Sequence, residues 1–175
     1  MDTTKYFSPF PQDFKNRYPE RMNPLLPTYY QFSISRLPTV SYFCQSASLP
    51  TVTLTEVQMP TPFVYAKYPS KIEFDDLTIG FVVDEEMKNW LEIFNWMRSA
   101  STTEDFNEIK DPSTHLSNAT LFILNSTKHP KMSVQFDGLY PKNLSSIDFS
   151  STVLDPEPFV ATCIFGYRSY SIKLF

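Results

Sequence analysis

Only three glycines stand in the 175 residues of this chain. Gly80, Gly138 and Gly166 lie too far apart to build a phosphate-cradling loop of the P-loop or dinucleotide type. No Gly-x-Ser-x-Gly elbow occurs either. Cysteine is equally scarce. Cys44 and Cys163 lack CxxC spacing and each sits in an apolar strand pattern, which predicts buried free thiols, with a disulfide as the open alternative. The two histidines, His115 and His129, are not at metal-ligand spacing from each other or from either cysteine. Asp75-Asp76 and Glu85-Glu86 are paired acids of the kind that do acid–base work, but one pair falls at a strand irregularity and the other at an expected helix start. The expectation is a non-enzyme with no catalytic residues, no cofactor and no metal. Basic residues number 15 against 19 acidic ones, giving a net charge of −4, so no phosphate-binding stripe is expected. No apolar run approaches membrane-spanning length. The start, Met1-Asp2-Thr3-Thr4-Lys5, is too polar for a signal peptide, which predicts a protein made and used in a cytoplasm, with no membrane partner.

What the chain has in quantity is aromatic and apolar side chains, 16% and 42% respectively. That composition excludes a largely disordered protein, and the length suits one domain with a real core. Charged residues reach only 19%. A surface so poor in charge and rich in Tyr, Ser, Thr and Pro fits large contacts with other subunits, as well as an ordinary aromatic-rich β domain. Residues 1–28 have their own texture. Pro9, Pro11, Pro19, Pro24 and Pro27 break any ladder, while Tyr6, Phe7, Phe10, Phe14 and Tyr18 offer anchors. This predicts an extended arm that docks on its own domain or on a neighbour, preceding a single domain over 29–175.

From Tyr29 the pattern turns to period 2. Tyr30, Phe32 and Ile34 alternate with Gln31, Ser33 and Ser35, as in a half-buried strand. Further strands are predicted over Val40–Ala47, over Thr51–Met59 with a bulge near Glu56, and over Ile72–Val83 with a shift at Asp75-Asp76. A helix is predicted over about residues 84–98, with Asp84 at its start, Glu85 and Glu86 in its first turn, and an apolar face of Met87, Trp90, Leu91, Phe94 and Met97. Residues 99–118 read as a long polar loop, functional or mobile. Strands resume over Ala119–Asn125 and Met132–Asp137. Gly138–Asn143 reads as a turn, Leu144–Ser150 as another strand, and Phe159–Leu174 as one long or two short strands around Gly166. The fold class is therefore mainly β, a sandwich or barrel of about 7–9 antiparallel strands with one flanking helix.

Three segments, taken in order, resemble the major tail tube protein family of contractile-tailed bacteriophages, a fold related to the haemolysin-coregulated ring protein of type VI secretion. They are Pro27–Ile34 with Phe43–Pro50, Phe74–Ile79 with Val83–Glu86 and the helix through Trp96, and Gly138–Leu144 with the closing strand Phe159–Tyr167. Each is weak alone, and the colinearity carries the resemblance. It implies a structural virion protein, assembled in the host cytoplasm, whose hexameric rings stack into a DNA-conducting tube. The implied partners are further copies of itself and the sheath, baseplate and tape-measure proteins, with DNA passing unbound through the lumen. Gln31, Ser33 and Ser35 would line that lumen, and the 99–118 loop and the Thr51–Tyr68 hairpin region would meet the next ring. The aromatic arm and the extension Arg168–Phe175 depart from a plain tube subunit. They suit a protein at the baseplate–tube junction or at the tube end, although the compact length favours the ordinary subunit. Candidate inter-subunit contacts are Tyr6, Phe7, Phe10 and Phe14 in the arm, Glu104, Asp105 and Phe106 in the loop, and Tyr170 and Phe175 at the C-terminus. An effector-carrying secretion ring and a ligand-binding barrel are the readings from other classes.

Overall fold

A computed structural model describes residues 23–60, 62–101, 115–152 and 157–175. The arm residues before 23, including Tyr6, Phe7, Phe10 and Phe14, lie outside the described residues, as do Glu104, Asp105 and Phe106. Nine strands and two helices follow in the order β1 (Tyr30–Ile34), α1 (Pro38–Tyr42), β2 (Cys44–Ala47), β3 (Val52–Pro60), β4 (Tyr65–Phe74), β5 (Leu77–Val82), α2 (Lys88–Ser101), β6 (Ser117–Leu124), β7 (Pro130–Leu144), β8 (Val160–Gly166) and β9 (Ser169–Leu174). The expected mainly β architecture with one main helix is the observed one. All pairings are antiparallel.

β7 organises the molecule. Its first part pairs with β6 and β9, and β6 carries β1 at the edge. Its second part, from Tyr140, pairs with β8, which leads to β5 and β2. One 15-residue strand thus belongs to two half-sheets. The bend falls at Gly138, where φ is +66° and an added Cβ would meet the Arg168 side chain at 2.9 Å. The segment expected as a turn, 138–143, is therefore a bent strand. Pro141 is tolerated there because the ladder to β8 slips between Pro141 and Asn143, so no amide is missed. Residues 145–150 have no regular structure, so the strand expected over Leu144–Ser150 is absent.

Inward residues of both half-sheets share one core. Phe81, Phe136, Phe165, Leu77, Ile79 and Leu139 are fully buried, and Ile93 and Trp96 of α2 close over them. β1 keeps the predicted alternation, with Phe32 and Ile34 buried and Gln31, Ser33 and Ser35 exposed. The predicted Val40–Ala47 strand is instead a helical turn followed by a strand. Pro38 supplies the fixed φ that opens a helix, and Ser41 Oγ accepts from Ile34 N at 2.9 Å and donates to Leu37 O at 3.0 Å.

α2 starts four residues later than predicted, at Lys88. The chain first turns through 84–87, with Met87 at φ +54° and its amide on the Asp84 carbonyl at 2.8 Å. The group that secures this start is the fully buried Asn89. Its Oδ1 accepts from Asp84 N at 3.2 Å, and its Nδ2 donates to Val82 O at 2.7 Å. Anchoring Asn89 inward rotates the helix from the predicted face. Asn89, Ile93 and Trp96 point into the core, Trp90 and Met97 are half-buried, and Leu91 and Phe94 are exposed. Glu85 and Glu86 stay outside the helix, and Glu86 pairs with Lys88.

A candidate inter-subunit hairpin and its clamp

β3 and β4 pair only with each other and stand apart from the seven-stranded sheet. Their large apolar side chains are all exposed, from 48% at Val52 to 71% at Tyr65, and Phe63 in the connection between them is 95% exposed. An isolated two-stranded hairpin is marginally stable in water, and an apolar surface on this scale marks a contact site.

The register decides where that surface faces. Val52 pairs with Phe74 and Leu54 with Ile72, then the ladder slips by one, and Val57 pairs with Tyr68 and Met59 with Ala66. Glu56 opposes Pro69, so the extra residue lies on β4 and the bulge falls where the sequence predicted it. The Thr55 hydroxyl fills the gap, donating to Lys71 O at 2.9 Å and accepting from Lys71 N at 3.1 Å. Alternate residues of β3 point to opposite faces, and paired residues share one. Val52, Leu54, Ile72 and Phe74 therefore form an apolar patch on one face at the base. Val57, Met59, Ala66 and Tyr68 form a second patch on the other face toward the tip. Near the tip the first face carries the Glu56–Lys67 ion pair at 3.1 Å instead. The hairpin offers two apolar patches, on opposite sides.

The hairpin's base is fastened to the body. Phe74 meets Tyr170 edge-on, with ring centroids 5.0 Å apart, and Tyr170 in turn touches Phe136 and Tyr167. Tyr167 donates its hydroxyl hydrogen to the Asp75 carbonyl at 2.7 Å, and Lys142 Nζ pairs with Asp76 Oδ2 at 2.7 Å. Burial, and after it Tyr170 and the two aspartates, push the Tyr167 hydroxyl up to about 12. The Asp76 carboxylate raises the Lys142 ammonium in turn. The paired acids Asp75-Asp76 thus mark the point where the hairpin leaves β5. Asp76 contributes a carboxylate and Asp75 a carbonyl.

Of the contact candidates in the described residues, Tyr170 is half-buried in this clamp, whereas Phe175 is 67% exposed with its amide on the Lys131 carbonyl at 3.0 Å. Thr55, Asn89 and Tyr167 were not singled out by sequence. Only Asn89 left a trace, as a polar residue within the helical apolar pattern. Cys44 and Cys163 are both free thiols, but only Cys163 is buried as expected, and burial pushes it up to about 12, whereas Cys44 is half-buried. His115 gives its carbonyl to Trp96 Nε1 at 2.7 Å. Among the described residues no cluster of His, Cys, Asp and Glu has the makings of a metal site, and no helix is long and apolar enough to cross a membrane.

Two half-sheets sharing a bent strand, a covering helix and a separate apolar hairpin define a mainly β protein with a large exposed apolar surface on one element. The chain belongs to the phage tail tube protein family, whose model matches residues 11–173, a structural family and not an enzymatic one. It is 29% identical over 157 residues to the tail tube terminator protein of Enterobacteria phage T4, covering 83% of this chain and 87% of that one. Its fold is that of a chain in the tube-terminating cap of the anti-feeding prophage (TM-score 0.66, 14% identity, 89% and 94% of the two chains). It is equally that of a chain in the sheath–tube complex of the extracellular contractile injection system PVC (TM-score 0.64, 15% identity, 88% and 94%).

Proposed function

We propose that this protein ends the tail tube: its copies form a ring that docks on the last ring of the tube and admits no further tube ring. The observation that carries this reading is the end-to-end relation to a tail tube terminator, 29% identical across most of both chains. The ordinary tube subunit, which the compact length favoured, has the family match and the shared fold behind it but no relative of comparable identity over most of both chains to set beside the terminator. A stacked ring uses a head-to-tail interface, which joins two different faces and propagates unless the outward face of the last ring fails to match the face that would dock on it. The opposed apolar patches of the β3–β4 hairpin suit contacts with two different neighbours, one within the ring and one in the adjoining ring. Tyr6, Phe7, Phe10, Phe14, Glu104, Asp105, Phe106 and Phe175 are proposed as further contacts, with Tyr170 acting by holding the hairpin base. Exposed Gln31, Ser33 and Ser35, on a protein of net charge −4, suit a wet lumen that lets DNA pass without binding. The assembled protein would reside in the virion tail, where sheath, baseplate and tape-measure proteins are its expected neighbours.

Electron microscopy of the purified protein, alone and mixed with tail tubes, tests the reading. Rings or monomers alone, and density added at one end of each tube, are expected. Long tubes built from this protein alone would return it to the ordinary subunit.

A further inference from the structure

A groove of about 360 Å³ runs beside the β6–β7 turn, where the start of the described chain meets its C-terminal strand. Its walls are mostly apolar, with Leu26, Tyr29, Leu124, Met132 and Leu174 prominent, and Leu174 is 78% exposed. Asn23, the first described residue, forms part of the lining. The next aromatic upstream is Tyr18, five positions away across Pro19. An extended chain of five residues spans at most about 17 Å, so Tyr18 is within reach of the groove from Asn23.

We infer that the arm's proximal segment, residues 15–22, docks into this groove of its own subunit with Tyr18 as the anchor. Three observations converge on that occupant. The arm leaves from the groove's own wall, so docking closes a very short loop and costs little chain entropy. The groove is apolar but includes Ser126 and Lys131, a lining that suits an aromatic ring with a polar tip better than a plain hydrocarbon. The bracketing Pro19 restricts the chain before docking and reduces what ordering it costs.

The full-length protein carrying Glu20→Cys and Ser126→Cys tests this, because Ser126 is an exposed residue of the groove lining and the pair leaves both Tyr18 and the apolar wall in place. Mild oxidation should give an intrachain disulfide, seen as faster migration on a non-reducing gel and unchanged on tenfold dilution. Disulfide-linked dimers that weaken on dilution would place the arm on a neighbour and overturn docking within the subunit, as would the absence of any new disulfide. Trypsin gives a second measurement without new cysteines. Cleavage after Arg17 and Arg21 should be about tenfold faster in Leu174→Asp than in wild type, a ratio equivalent to about 1.4 kcal/mol of docking energy. Equal rates would overturn the proposal.

Discussion

Tyr167 and Asp75 stand 92 positions apart in sequence, yet the phenol donates to the Asp75 carbonyl at 2.7 Å. That bond joins the corner between β8 and β9 to the point where the hairpin leaves the sheet. Tyr167→Phe keeps the ring contacts with Phe136 and Tyr170 and removes only the bond, at a cost of about 1 kcal/mol. Hydrogen exchange should show amides of β3 and β4 opening roughly fivefold faster while those of β5 keep their wild-type rates. An unchanged hairpin would mean that the clamp rests on Phe74–Tyr170 and Asp76–Lys142 alone.

The same phenol makes a pH signature. Its folded value is raised from 10.0 to about 12, so folding favours the protonated form. The stabilisation is complete below pH 10 and is lost as pH rises toward about 12. Denaturant titrations across that window should therefore show the stability gap between wild type and Tyr167→Phe closing as pH rises.

Asn89→Leu fills the space but strands the Asp84 amide and the Val82 carbonyl at the helix start. A loss of about 1–3 kcal/mol is expected in urea unfolding. Asn89→Asp, which keeps the acceptor and loses the donor, should also be destabilised, through the Val82 side of the pair.

Val57→Glu with Met59→Glu charges the tip patch of the hairpin without touching the core. Folding stability should stay within about 0.5 kcal/mol of wild type, while ring formation or docking on tubes, followed by sedimentation and microscopy, is lost. Normal assembly of this variant would remove the tip from the interface.

Cys163 is fully buried and its thiol is held at about 12. It should resist alkylation in the native protein at pH 8 and react at once in denaturant. Mass spectrometry of the alkylated peptides distinguishes it from the half-buried Cys44.

Much of the fold was legible in the sequence because it rests on local signals. The alternation of Tyr30–Ile34 and the β-branched run with its shift at Glu56 report a strand's period or its interruption, and both appear in the structure. The single strand expected over Ile72–Val83 with a shift at Asp75-Asp76 is instead two strands, β4 and β5, in different sheets. The errors arose where a tertiary contact overrode the local pattern. Val40–Ala47 alternates acceptably, but Pro38 and the Ser41 hydroxyl turn its first half into a helix. Leu91 and Phe94 sit at helical spacing with Trp90, yet the inward anchor at Asn89 turns them to the surface. Gly138 and Pro141 read as a turn, but pairing with β8 past the bend keeps the strand going.

The sequence by itself determined a β-rich chain, because the period-2 alternation of a strand is a local signal. Its ordered motifs also carried the family resemblance. Only the tertiary structure decided that β3 and β4 leave the sheet as a hairpin with two opposed apolar patches, and that Tyr167, Tyr170 and Lys142 hold its base. Those properties depend on register and on contacts between residues up to 92 positions apart. The extra residue on β4 opposite Thr55 moves Ala66 and Tyr68 to the face that Val57 and Met59 take by the alternation of β3, and neither composition nor periodicity records which strand takes the extra residue.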